Sequence, residues 1–144
     1  MYLLGDGAEL ERVKLKAKNL KTESAFFLGN VDNVQKYLWD SDISLHSATY
    51  EPFGLVLIEA MAAGLPVLTT NGKGNVDVIE QGKNGYILRE DTNVFVKKIN
   101  ELKQNEKMYS KLSNFCEEYA MKYNIDNYTT RLIAYYETIL NKSN

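Results

Sequence analysis

The 144 residues include one cysteine and one histidine. A single thiol, Cys116, excludes an intrachain disulfide, and no Cys/His cluster offers a zinc motif. His46 alone cannot build a histidine-based metal site, so no metal is expected. The formal net charge is only −2, which removes the basic footprint of a nucleic-acid binder. No apolar run approaches a membrane span. The opening Met1-Tyr-Leu-Leu-Gly has neither a basic region nor a long apolar segment, so it is no secretory signal. Low-complexity tracts and internal repeats are also absent. What remains is ordinary for a soluble globular protein: 44% hydrophobic and 25% charged residues. The length supports one domain with a core. A cytoplasmic protein is the default expectation.

The informative stretch is Glu51-Pro-Phe-Gly-Leu-Val-Leu-Ile-Glu59, continuing through Ala60-Met-Ala-Ala-Gly64-Leu-Pro66-Val-Leu-Thr69. Between Gly54 and Ala63 every residue but Glu59 is apolar or glycine, which reads as a short helix buried nearly all round. Pro52 fits a first helical turn. Gly64 followed by Pro66 is a helix stop, and Val67-Leu-Thr-Thr70 reads as a buried strand. The helix start then presents N–H groups near Phe53, Gly54 and Leu55, a natural seat for phosphate. Glu59 lies roughly 1.5 turns further in at ~3.6 residues per turn, placed to accept hydrogen bonds from hydroxyls of the same ligand. The alternative is plainer. Glu59 is then an outward helix-surface acid, and Glu51 a carboxylate favoured by the helix dipole.

Glu51 to Glu59 with Pro-Phe-Gly inside, followed by Glu-Ala-Met-Ala-Ala-Gly-Leu-Pro-Val, resembles the signature of retaining glycosyltransferases of family 4, in the GT-B fold group. The resemblance implies that Glu59 binds the donor ribose. It implies that Glu51, the catalytic candidate, contacts the transferred sugar, and that backbone amides of Phe53, Gly54 and Leu55 hold the diphosphate. Many members carry glycine where this chain has Pro52, a departure that bears on sugar specificity.

The rest of the chain alternates. Tyr2-Leu-Leu4 is a short apolar run ending at Gly5-Asp-Gly7, with a helical pattern after it through Leu10, Val13 and Ala17. Leu10 stands where a dinucleotide fingerprint needs its third glycine, so the turn is either a plain strand-to-helix connection or, as the resemblance implies, places Gly5 at the site. Ser24-Ala-Phe-Phe-Leu28 is the next strand, and a helix runs from about Val34 to Asp40. The resemblance implies that Val31 and Asn33 meet the donor base, while Asp32 or Asn33 also suits an N-cap. Ile43 to Ser47 alternates and leads into the Glu51 loop. His46, at a strand end where open α/β sheets bind ligands, is either a packing residue or a polar site contact. Tyr50 beside Glu51 packs or walls the sugar pocket. Asn71-Gly-Lys-Gly-Asn75 is a surface turn or a phosphate-cradling loop with Lys73 nearby. A short helix through Val76 to Ile79, a turn over Gln81 to Gly85 and a strand Tyr86 to Leu88 follow. From Thr92 the periodicity is helical. Met108, Leu112, Phe115 and Tyr119 mark one face, and Tyr128, Leu132, Tyr135 and Ile139 another; both stripes read as core.

The expected fold is α/β, a Rossmann-like parallel sheet with helices on both faces, an α/β core over 1–90 and C-terminal helices over 91–144. Against the resembled family, the N-terminal acceptor domain, the basic pair that clamps the diphosphate and the first strand are expected to be missing. The implied function is the donor-binding half of a glycosyltransferase using a nucleotide-diphosphate sugar, without a metal cofactor. A sugar or lipid-linked molecule is the implied acceptor. Polysaccharide or capsule biosynthesis is the usual setting, cytoplasmic and with a peripheral position at the inner membrane face left open. The isolated chain is expected to be inactive. Two other classes stay open: a non-catalytic nucleotide-sugar-binding or partner-subunit module, and a dehydrogenase. The failed glycine pattern and the lack of a catalytic His/Lys/Tyr set speak against the latter.

Overall fold

A computed structural model describes residues 1–142; residues 143 and 144, at the end of the expected helical region, lie outside the described residues. The chain forms two compact units, Met1–Asp40 and the remainder from Ser41.

In the first unit, β1 (Tyr2–Leu4) pairs in parallel with β2 (Phe26–Gly29). Helices α1 (Leu10–Asn19) and α2 (Val34–Trp39) follow the two strands. Both strands run into their helix turns at a glycine, Gly5 after β1 and Gly29 at the end of β2, as expected. No residue of this unit is fully buried, as so short a segment has too little volume for its surface.

The second unit holds β3 (Ser44–His46), α3 (Leu55–Ala62), β4 (Val67–Thr70), α4 (Asn75–Val78) and β5 (Gly85–Leu88), then α5 (Thr92–Gln104), α6 (Glu106–Ala120) and α7 (Ile125–Lys142). The strands form one parallel sheet in the order β3-β4-β5. All four β4 residues are buried, as a parallel strand covered on both faces requires. The fold class is thus α/β with parallel sheets and a helical C-terminal end. The five expected strands are all present, hydrogen-bonded as a pair and a triplet.

Leu68, Leu88, Leu102 and Leu112 form one buried cluster, with Ile43, Val94, Phe95, Ile99 and Met108 packed against it. Helix α3 stops where the sequence says. The Leu65 N–H returns to the Ala60 carbonyl (3.1 Å) and the Gly64 N–H to that of Met61 (2.9 Å), a Schellman ending. At α6, Asn105 caps the start through its side chain onto the Met108 N–H, 3.0 Å.

Two expectations need correction. The Tyr128, Leu132, Tyr135 and Ile139 stripe is not core, since α7 has no buried residue and Tyr135 is 63% exposed. Amphipathic spacing specifies a face without specifying what covers it. Helix α3 is also not buried all round. Leu57, Ile58, Ala60 and Met61 are buried, whereas Leu55, Val56, Glu59 and Ala62 are exposed.

Two outcomes follow from the core. Leu112→Ala should destabilise the second unit by about 3 kcal/mol, the usual range for a fully buried leucine, measured by urea unfolding. Cys116 is buried with its thiol donating to the Asn84 carbonyl, 3.2 Å, and burial pushes its pKa up from 9.0 to about 12. Its reaction with a disulfide reagent at pH 8 should be limited by opening of the fold. Because the folded pKa is the raised one, its contribution is intact below pH 9 and lost progressively as pH rises toward 12.

Candidate functional site

The parallel strands β3 and β4 end side by side, with His46 opposite Thr69, so the loops that follow leave from the same sheet edge. This is the edge at which open α/β sheets bind ligands. Three hydrogen bonds lash the two loops together. The Gly74 N–H donates to the Glu51 carbonyl (2.6 Å), the Thr70 hydroxyl to the Ala48 carbonyl (2.8 Å), and the Asn75 amide to that same carbonyl (3.4 Å). Asn75, fully buried, also donates to Thr69 Oγ1 (2.8 Å) and the Thr70 carbonyl (3.0 Å). Only glycine fits at position 74. A Cβ there would lie 2.2 Å from the Glu51 carbonyl oxygen and 2.8 Å from the Phe53 nitrogen.

From this clamp the chain turns into α3. Gly54 precedes the helix with φ +84°, a left-handed conformation that suits glycine, and its carbonyl accepts from the Leu57 and Ile58 N–H groups. Pro52 therefore sits in the approach loop and not in the first helical turn. The Glu51 carboxylate folds over the helix tip. Its Oε1 accepts from the Gly54 N–H at 3.0 Å and the Phe53 N–H at 3.4 Å. Of the three amides expected to be open, two are thus met by the chain's own acid. Leu55, at the first helical position, has an N–H that no carbonyl of its own helix can serve. The other carboxylate oxygen of Glu51, Oε2, lies 3.6 Å from His46 Nε2.

Glu59 occupies the exposed face of α3, one turn below Leu55. Phe53, 48% exposed, rests edge-on against Tyr123, 6.1 Å between ring centres. Tyr123 continues to Tyr119 and Phe115, an aromatic string that ties the loop to α6. Burial, then the hydrogen bond with Tyr123, raises the Tyr119 pKa well above its ordinary value. Among the described residues, no group of three or more His, Cys, Asp or Glu is placed to hold a metal ion, and no helix is long and apolar enough to cross a membrane.

The description "Glycosyl transferases group 1" belongs to the family profile that matches residues 1–120. This chain belongs to the group 1 glycosyltransferase family. The N-acetyl-alpha-D-glucosaminyl L-malate synthase of Bacillus anthracis is 33% identical over 141 residues, 96% of this chain and 36% of that protein. A poly(glycerol-phosphate) alpha-glucosyltransferase of Bacillus subtilis is 27% identical over 129 residues, 88% of this chain and 19% of that protein. Among solved structures, Anabaena HepE in complex with UDP matches with a TM-score of 0.82 and 25% identity, over 97% of this chain and 40% of that one. The chain therefore spans well under half the length of each of these three relatives.

Of the residues read from the sequence, Glu51, Phe53, Gly54, Leu55 and Glu59 converge on the tip and exposed face of α3. Gly5, Val31 and Asn33 belong to the first unit. There the Gly5 N–H donates to the Gly29 carbonyl, 2.7 Å. Asn33 caps α2, its side chain accepting from the Lys36 N–H at 3.2 Å, and Val31 lies in the loop between β2 and α2. The clamp through Gly74, Thr70 and Asn75 was not anticipated from the sequence. The two glycines flanking Lys73 just ahead of a helix were its one visible sign.

Gly74→Ala should break this clamp, destabilising the second unit by about 1–3 kcal/mol, the range of overpacking. Amide exchange at Phe53 and Gly54 should accelerate. Lys73→Ala, one residue away and exposed, should leave both unchanged.

Proposed function

We propose that this chain is the nucleotide-diphosphate-sugar-binding part of a retaining glycosyltransferase of family 4, acting in polysaccharide or glycoconjugate biosynthesis. The observation that carries the reading is the pair of acids around one helix tip: Glu51 folded over the start of α3 and Glu59 on its exposed face. A diphosphate at that tip meets the positive end of the helix. Glu59, acceptor-only, suits the hydroxyls of a ribose one turn away, while Glu51 faces the sugar. In transfer, the bond from the anomeric carbon to the diphosphate breaks, a bond to the acceptor oxygen forms as its hydroxyl proton passes to the departing diphosphate, and configuration is kept. The helix tip stabilises the departing negative charge, so no metal is required.

Relatives favour a UDP-sugar. HepE is known in complexes with UDP and with UDP-glucose, and the Bacillus anthracis relative is named for an N-acetylglucosaminyl product. A further domain, contributing the binding of a sugar or lipid-linked acceptor, is part of the proposal, since this chain matches 36% of that relative's length. The apolar face of α7 suits contact with such a domain.

Calorimetry tests the reading. The 144-residue chain should bind UDP, UDP-glucose or UDP-N-acetylglucosamine at millimolar ligand without transferring sugar, and chelation of divalent ions should leave binding intact. Glu59→Gln should weaken UDP and UDP-sugars alike by about tenfold, the scale of one charge-assisted hydrogen bond, with an unchanged circular dichroism spectrum. A folded chain that binds none of the three overturns the proposal.

A further inference from the structure

We propose that His46 is the positioning residue for Glu51: its Nε2–H holds the free carboxylate oxygen and thereby sets the orientation in which Glu51 meets the donor sugar. The inference rests on the reading of Glu51 as the sugar contact.

Three observations lead to it. His46 is the last residue of β3, its backbone held in register against Thr69 of buried β4, so its ring leaves a rigid base. Its Nε2 atom is buried and has no hydrogen-bond partner among the described residues, an arrangement that is costly for an imidazole nitrogen. The Glu51 Oε2 atom lies 3.6 Å away, and the two side chains are only 19% and 23% exposed.

Glu51 is otherwise fully committed. Its carbonyl is clamped by Gly74 and its Oε1 by the Phe53 and Gly54 amides. What remains free is Oε2, and a 3.6 Å separation is just beyond hydrogen-bond length. A small rotation of either side chain closes it. The neighbouring carboxylate favours the tautomer with the proton on Nε2, because the reverse tautomer sets a lone pair against an anion. With both oxygens engaged, one by the loop and one by the imidazole, the carboxylate has a single orientation before the sugar arrives. His46 touches no sugar in this arrangement and acts through Glu51.

The test compares UDP-glucose with UDP, because only the former carries the sugar that Glu51 is read to meet. In His46→Ala the affinity for UDP-glucose should fall about tenfold, the scale of a lost charge-assisted contact, with the affinity for UDP unchanged. Amide exchange at Phe53 and Gly54 should quicken while Thr69 stays protected, which reports the contact without any ligand. His46→Gln, whose side-chain NH₂ reaches the same point, should restore both readouts. Nitrogen-15 shifts of the imidazole should show Nε2 protonated. An unchanged UDP-glucose affinity, an equal loss for UDP and UDP-glucose, or unchanged Phe53 and Gly54 exchange overturns the proposal. If the unaltered chain binds neither ligand, the functional reading falls and this inference falls with it.

Discussion

The burial of one short strand governs the second unit. Val67 and Leu68 lie in the core, whereas Thr69 and Thr70, at the other end, bring hydroxyls into the same dry environment. A parallel strand flanked on both sides must send its neighbours' crossovers over the two faces, which places the helices and fixes the edge where loops emerge. Buried hydroxyls must be hydrogen-bonded, and here they are used to hold those loops. Thr70 takes the Ala48 carbonyl, and Thr69 receives the Asn75 amide. The core therefore stops where the polar framework of the site begins, within a single four-residue strand.

That framework is economical in side chains. Glu51 supplies a carbonyl to one loop, a carboxylate oxygen to its own helix tip, and a second oxygen close to His46. An acid over a helix start is favoured by the helix dipole, which accounts for the position of its carboxylate. Glu51 thus stabilises the loop that leads into α3. The aromatic string from Phe115 through Tyr119 and Tyr123 to Phe53 ties this polar rim back to α6 by packing alone.

Apolar surface is distributed unevenly over the chain. The group 1 core around Leu68 and Leu112 is closed, while α7 turns tyrosines, leucines and isoleucines to solvent along its whole length. A helix with such a stripe gains most of its stability from packing against something. The contrast between α6 and α7 is instructive because both carry the same four-three-four spacing. One stripe packs against α3 and α5, burying Leu112 and Tyr119, and the other has no buried residue.

The composition and patterning settled much beforehand. Alternating apolar runs and glycine turns specified an α/β chain with five strands, because strand and helix periods are local properties of the sequence. The C-terminal end of α3 was legible from Gly64 and Pro66, since caps depend on residues a few positions apart, whereas its start lies beyond Pro52, which the sequence had placed in the first turn. The length and specificity of the Glu51-to-Glu59 stretch were enough to indicate the glycosyltransferase family. The tertiary structure decided what no local pattern encodes. It showed that Gly74, twenty-three positions after Glu51, closes against its carbonyl. It placed Glu51 on amides that were expected to be open, set His46 beside it, and left the α7 stripe uncovered. Those outcomes depend on which segments fold against one another, and periodicity alone does not carry that information.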